Sequence, residues 1–291
     1  MKDSRIFFAK NFFGAQPPEY KGRLGIKEME IRKEILTRYV APLREGGSLP
    51  ALAEAADGFQ YAVKLKGGGH GAKSLISEFI GGLVAKAFKF KVPEIILLEL
   101  DPLFGITEPD QEIQDLLRKS EGTNVGLHFL DGAFTFDPEV NQIDSLTASK
   151  IVWLDSFLTN VDRTRQNPNM MIWNRELWLI DHGASLYFHH SGKNPEEAAL
   201  DPFPYIRMHA LLPYADRLHE ADRMMRQAIT PRTLNKIVDL LPNEWLVEEG
   251  DSGSTLEKRK GYKTFLTNRL ANSKIFVDKA VEERNKLINE K

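Results

Sequence analysis

Short apolar runs alternate with turn residues over the first part of the chain, a pattern typical of a small β-rich unit. PALAEAA at 50–56 and FQYAVKLK at 59–66 read as strands, and Asp57-Gly58 between them favours a tight hairpin turn. After the glycines at 67–69, apolar side chains recur at helical spacing from Leu75 to Val84. A hairpin followed by a helix is therefore predicted.

Two further apolar runs extend this unit. VPEIILLEL at 92–100 and TNVGLHFL at 123–130 predict buried strands, and the acidic stretch EIQDLLRK at 112–119 between them predicts a helix. Up to about residue 130, the pattern indicates a small sheet with one helix across it.

The pattern then changes to helical. Apolar residues share one face of the segment 145–160, and MMIW at 170–173 and LWLID at 177–181 predict two short strands joined by a tight turn. Thr230-Pro231 begins another helix, and the polar stretch 248–258 is expected to be an exposed loop before an amphipathic tail. The predicted fold class is α+β with two lobes.

The expected organisation has three parts: an extension at 1–28, rich in turn residues, a β-rich lobe at 29–130 and a mostly helical lobe at 131–291. Composition adds limits rather than identity. The 291 residues are 42% hydrophobic and 27% charged, with a net charge of -2, so no global attraction for nucleic acid or an anionic membrane is expected. With no cysteine, no secretion signal and no long apolar run, a cytoplasmic location is expected.

Lys64 stands out because it lies inside an apolar strand, where a lysine is costly unless it meets an anion. Glu78 on the following helix is spaced to pair with it. Gly46, Gly47 and Ser48 form an earlier turn whose backbone N–H groups could approach phosphate oxygens. Taken alone, the lysine could extend to solvent and the turn could be an ordinary hairpin entry.

Three polar residues surround the two short strands of the second half. Asp162 follows the helix at 145–160, Asn169 directly precedes MMIW, and Asp181 ends LWLID and is followed by His182 and Gly183. Such acids and amides beside buried strands need partners. A catalytic acid, then an asparagine and an aspartate that hold Mg²⁺, is the order found in phosphotransferases that use ATP.

The segments 46–67, 154–173 and 177–188 together resemble the HipA-like kinases, bacterial members of the wider kinase superfamily. The resemblance implies a two-lobed kinase-like fold that binds ATP and Mg²⁺ and transfers phosphate to a Ser/Thr hydroxyl of a protein. It assigns the catalytic role to Asp162 and the metal to Asn169 and Asp181. Lys64 would anchor ATP. Asn167 is a second metal candidate, because the interval from Asp162 to Asn169 is longer than in those relatives.

Two other functions stay open on the residues alone. A pseudokinase would bind nucleotide or act as a scaffold without transferring phosphate, and a metal-dependent phosphodiesterase would use the aspartates and histidines without ATP. The stretch GGGHGAKS at 67–74 superficially resembles a Walker loop, but its spacing does not fit the motif. Neither the acceptor nor the oligomeric state can be inferred from these residues.

Overall fold

The computed structural model describes residues 30–43, 50–106, 108–247 and 253–290. The predicted turn at Gly46, Gly47 and Ser48 and the predicted extension at 1–28 lie outside these ranges. Residue contacts divide the chain between Glu30 and Ile31, and the fold that follows is that of the second unit.

A closed five-stranded barrel forms the N-terminal part of this unit. Its order is β1-β2-β3-β5-β4, and β1 and β4 pair in parallel while the other neighbours are antiparallel. The strands are β1 (Lys33–Pro42), β2 (Ala51–Ala55), β3 (Gln60–Lys64), β4 (Ile95–Leu100) and β5 (Gly122–His128). The predicted hairpin is present, with Gly58 at φ 80° in its turn.

The barrel core follows the two-residue period of strands. Ala51, Ala53 and Ala55 alternate inward on β2, and Tyr61 and Val63 do so on β3. Helix α1 (Ala72–Ala87) crosses the barrel, and α2 (Gln111–Arg118) begins at an Asp110 side-chain cap.

The C-terminal part is mostly helical and has one small sheet. Its order is β6-β7-β8, from β6 (Phe134–Thr135), β7 (Met170–Trp173) and β8 (Glu176–Leu179). The helices are α3 (Ser145–Leu158), α4 (Phe188–Ser191), α5 (Pro195–Ala199), α6 (Leu218–Ala228), α7 (Pro231–Asp239), α8 (Thr255–Ala271) and α9 (Ser273–Asn289). Short 3₁₀ turns lie at Pro204–Met208, Leu212–Tyr214 and Asn243–Leu246.

Helix α3 is the centre of this part. Trp153 stacks on Phe157 with ring centroids 5.2 Å apart, and Phe276 of α9 packs edge-on against Trp153. All three rings are fully buried. Because the buried rings of α3 pack against α9, the loop that leaves the C-terminal end of α3 starts from a fixed point.

The exposed loop expected at 248–258 is wrong in its second half. Ser254 accepts from the backbone N–H of Glu257, and the Glu257 side chain accepts from the Ser254 backbone, a capping box that starts α8 at Thr255. The amphipathic tail consists of two helices, since α8 ends at Ala271 and α9 begins at Ser273. Within the described ranges, no helix is both long and apolar enough to cross a membrane.

Candidate active site

Lys64 is the last residue of β3 and its ammonium lies between two carboxylates. Nζ donates to Asp181 Oδ1 at 2.5 Å and lies 3.2 Å from Glu78 Oε2. Only 7% of Lys64 and 1% of Glu78 is exposed. The structure therefore brings together a strand lysine, a helix acid and the aspartate after β8, from elements far apart in the sequence.

Burial alone would remove the charge from Lys64, but the carboxylates of Glu78 and Asp181 outweigh it and raise the pKa of Lys64. Burial also opposes ionisation of Glu78, yet Lys64 and then His182 hold the pKa of Glu78 below its ordinary value. The lysine and the glutamate are thus both ionised at neutral pH. A cation fixed at the end of a strand is suited to binding a phosphate oxygen.

Gly183 allows this cluster to form. A Cβ at Gly183 would lie 3.2 Å from Lys64 Nζ, 3.3 Å from Asp181 Oδ1 and 3.5 Å from Glu78 Oε2. The Gly183 N–H also donates to Asp181 Oδ1 at 3.3 Å. Any other residue would crowd the ionic contacts, which explains the glycine after His182.

Asp162 lies in the loop that follows α3. That helix ends with Thr159 in the left-handed region at φ 52°, which turns the chain sharply into the loop. Asn167 Nδ2 donates to Asp162 Oδ2 at 2.7 Å, and Asn169 Nδ2 donates to the same oxygen at 3.2 Å. Burial and then the negative charge of Asp181 raise the pKa of Asp162, against the hydrogen bond from Asn169.

The β7–β8 hairpin fixes the distance between Asn169 and Asp181. Met170 pairs with Leu179 in the sheet, and the N–H of Ile180 donates to the carbonyl of Asn169 at 3.0 Å. Asn169 and Asp181 flank the open end of this hairpin and both have left-handed backbones, at φ 48° and 52°. Asparagine and aspartate tolerate that region better than other non-glycine residues.

A fully buried ionic network stabilises the loop that carries Asp162. Arg163 Nε donates to Asp155 Oδ2 at 2.6 Å, and neither side chain has exposed surface. The Arg163 guanidinium also donates to the carbonyl of Asn169 and, at 3.4 Å, to that of Ile180. Arg163 therefore ties both ends of the hairpin to α3.

His209 completes the network as a neutral ring. The N–H of Leu211 donates to His209 Nδ1 at 3.0 Å, so Nε2 carries the proton and donates to Asp155 Oδ2 at 2.9 Å. Burial lowers the pKa of His209. Burial opposes ionisation of Asp155, but Arg163 and His209 hold the pKa of Asp155 well below its ordinary value.

Asn169 and Asp181 fit a hard divalent cation by their chemistry. Both offer oxygen donors, the ligands that Mg²⁺ prefers, and they flank one hairpin end. Asn169 is 7% exposed, whereas Asn167 is exposed and stands outside the hairpin. Of the two asparagines, Asn169 is therefore the one that lies at the end of the hairpin that Asp181 also flanks.

Gly67 has a packing role. The N–H of Gly67 donates to Ser120 Oγ at 2.9 Å, and a Cβ at Gly67 would lie 2.6 Å from Lys119 Cβ. This close approach to the end of α2 accounts for the glycine without a bound phosphate. His189 lies in α4, and its Nε2 is 2.9 Å from the Tyr262 hydroxyl.

Sequence reasoning did not identify Arg163, Asp155 and His209 as one unit. The only sign in the sequence that Arg163 belongs to the site is its position directly after Asp162. A single arginine is usually exposed, so a buried role would not be predicted for it. Asp155 and His209 are 54 positions apart, and nothing in either neighbourhood predicts their contact.

A β-rich part that supplies the lysine, joined to a helical part that carries Asp162, Asn169 and Asp181, is the arrangement of a kinase-like fold. The chain belongs to the HipA-like kinase family, whose sequence model matches residues 33–274. Among solved structures, the Helicobacter pylori proinflammatory kinase CtkA is similar, with a TM-score of 0.50 and 16% identity over 87% of this chain and 99% of that chain. At that identity the likeness concerns the fold. No curated protein matches the chain.

Proposed function

We propose that this protein is an ATP- and Mg²⁺-dependent phosphotransferase that transfers the γ-phosphate of ATP to a Ser/Thr hydroxyl of a protein. The observation that carries the proposal is the buried Lys64–Glu78 ion pair in contact with Asp181. Phosphoryl transfer needs positioning and charge stabilisation more than covalent chemistry, and this cluster supplies a fixed cation beside an oxygen-donor site.

Each residue has a distinct role in this proposal. Lys64 binds the α- and β-phosphates of ATP, and Glu78 orients it. Gly46, Gly47 and Ser48 would cover the phosphates, and Asn169 and Asp181 would hold a metal ion whose charge would offset that of the phosphates. Residues 29–130 would thus bind the phosphates, and residues 131–291 would hold the metal and carry out catalysis.

Asp162 orients the acceptor hydroxyl and accepts its proton. One of its oxygens, Oδ2, receives both amide hydrogen bonds from Asn167 and Asn169, which fixes the direction of the carboxylate. Its raised pKa is closer to the pKa of an effective general base than that of an ordinary aspartate is.

The surface beside this loop favours a macromolecular acceptor. A cavity of about 360 Å³ adjoins the loop and is lined by Thr159, Tyr187 and Tyr205, among others. The N–H of Tyr187 donates to Thr159 Oγ1 at 2.9 Å. Thr159, which lines the cavity, is three positions before Asp162 in the chain. Tyr205 in its wall is 52% exposed. Apolar surface of this kind fits a polypeptide better than a small polar alcohol.

A pseudokinase is the second candidate. The observation that favours it is the 2.5 Å contact between Lys64 and Asp181, which occupies an oxygen that a metal site could use. Such a protein would bind nucleotide without turnover, whereas the proposed kinase would consume ATP when given an acceptor. The two are therefore separated by activity and not by binding.

Nucleotide binding at this site is tested by thermal unfolding with and without Mg²⁺-ATP, comparing the wild type with Asp181→Asn. Ligand at ~100 times its Kd stabilises a protein by about 2.7 kcal/mol, a shift on the order of 5 °C for a chain of this size. Asparagine tolerates the left-handed backbone at this position. A metal-dependent shift in the wild type that is lost in the variant supports the site; an equal shift in both places nucleotide elsewhere.

A further inference from the structure

His182 lies between the metal-site aspartate and α1, and it is 1% exposed. Its Nδ1 is 3.8 Å from Glu78 Oε1, on the opposite side of the carboxylate from the oxygen that meets Lys64. Its Nε2 is buried and has no hydrogen-bond partner among the described residues. The ring thus meets the glutamate that orients the ATP-binding lysine.

Two glycines in the middle of α1 face this region. A Cβ at Gly81 would lie 2.5 Å from His182 Cβ, a distance that real Cβ contacts do not show, and 3.1 Å from its Cγ. A Cβ at Gly82 would instead meet the Cδ1 of Ile95, the flexible end of that side chain, at 2.4 Å. Glycine inside a helix costs about 1 kcal/mol relative to alanine, so Gly81 needs a packing reason. The reason is the close approach of His182.

A second contact joins the same two segments. Ser77 Oγ, one position before Glu78, donates to the carbonyl of Ser185 at 2.8 Å, and the N–H of Ser185 donates to the carbonyl of His182 at 3.0 Å. The turn 182–185 is therefore attached to α1 at both Ser77 and Gly81. Displacement of this turn would displace Glu78.

We infer that His182 is a positioning residue: seated against Gly81, it holds α1 and the Glu78 carboxylate in register with Asp181, so that Lys64 and the metal site form together. This rests on the proposed function, because it assigns how the ATP site of that function is assembled. His182 acts through Glu78 and does not touch the phosphates.

The first test compares Gly81→Ala with its neighbour Gly82→Ala. Both add one methyl group to α1 and raise helix propensity equally, but only Gly81→Ala collides with a residue held close to its backbone. Measured by calorimetry, the affinity for Mg²⁺-ATP should fall about tenfold in Gly81→Ala, a coupling typical of residues in contact. It should stay within about twofold of wild type in Gly82→Ala. Equal affinities in the two variants would overturn the inference.

The second test uses His182 itself. Asparagine can place an amide nitrogen near the position of Nδ1, whereas phenylalanine keeps the ring and loses both nitrogens. His182→Asn should retain more affinity for Mg²⁺-ATP than His182→Phe. In the Glu78→Gln background, His182→Phe should cause no further loss of affinity. An additive loss in that background would show that His182 acts independently of Glu78 and would refute the assignment.

Both tests measure the affinity for Mg²⁺-ATP, so they remain informative if the protein binds ATP without turning it over. Where turnover is present, His182→Phe should lower kcat/KM for ATP about tenfold and leave the KM for the acceptor unchanged. A merely structural defect would instead lower the fraction of active protein, with both KM values unchanged.

Discussion

Replacing Lys64 with Met should destabilise the fold by about 3–5 kcal/mol, the cost of leaving one member of a buried ion pair without its partner. The Lys64 and Glu78 side chains are only 8% and 1% exposed, so water cannot compensate the carboxylate that remains. Asp181, 31% exposed at its side chain, adds less, because solvent screens it. The free energy of unfolding is measured by urea denaturation followed through tryptophan fluorescence.

Two comparisons make this result specific. Lys91 pairs with Glu176 on the surface, with side chains 53% and 50% exposed, and Lys91→Met should cost no more than about 1 kcal/mol. The double variant Lys64→Met/Glu78→Gln removes both charges and should recover most of the loss. If Lys64→Met is no more destabilising than Lys91→Met, then removing Lys64 does not leave a costly unpaired charge at Glu78, and the reasoning is refuted.

Two further predictions concern the loop after α3. Asn169→Ala should raise the Mg²⁺ concentration needed for ATP binding by about tenfold, while Asn167→Ala should leave it nearly unchanged. The Mg²⁺ titration is followed by calorimetry. A larger effect of Asn167→Ala would assign the metal-holding role to Asn167. Asp162→Asn should raise the melting temperature without ligand at pH 7. The sign follows from the raised pKa of Asp162. The protonated carboxyl contributes stability below the unfolded pKa, and this stability is lost as pH rises through the folded pKa. At pH 7 the charged Asp162 carboxylate therefore lowers the stability of the fold. The gain should vanish near pH 3, and an equal gain there would contradict it.

The hairpin of β2 and β3 could be predicted from the sequence because alternation and the Asp57-Gly58 turn agree. Strand β1 could not, because charged residues occupy both of its faces and Leu36 is its one fully buried residue. The closure of the barrel depends on the parallel pairing of β1 with β4, a contact between distant segments that no local pattern encodes.

The candidate site shows the same limit. The order of Asp162, Asn169 and Asp181 around two strands is local and therefore visible in the sequence. The contact of Lys64 with Asp181 spans 117 positions and depends on how the two parts of the fold meet. The role of Gly81 is also invisible in the sequence, because its reason is the position of a side chain from another segment.

The most direct test of the central claim is transfer of labelled γ-phosphate from Mg²⁺-ATP to protein acceptors in an extract, comparing the wild type with Asp162→Asn. Glu139→Gln is the matched control, since Glu139 meets Arg165 of the same loop at 3.1 Å but is 69% exposed at its side chain. We expect label on acceptor Ser or Thr with the wild type and the control, and at least a hundredfold less with Asp162→Asn, within the range typical of a lost general base. Equal labelling by the wild type and Asp162→Asn would contradict the account.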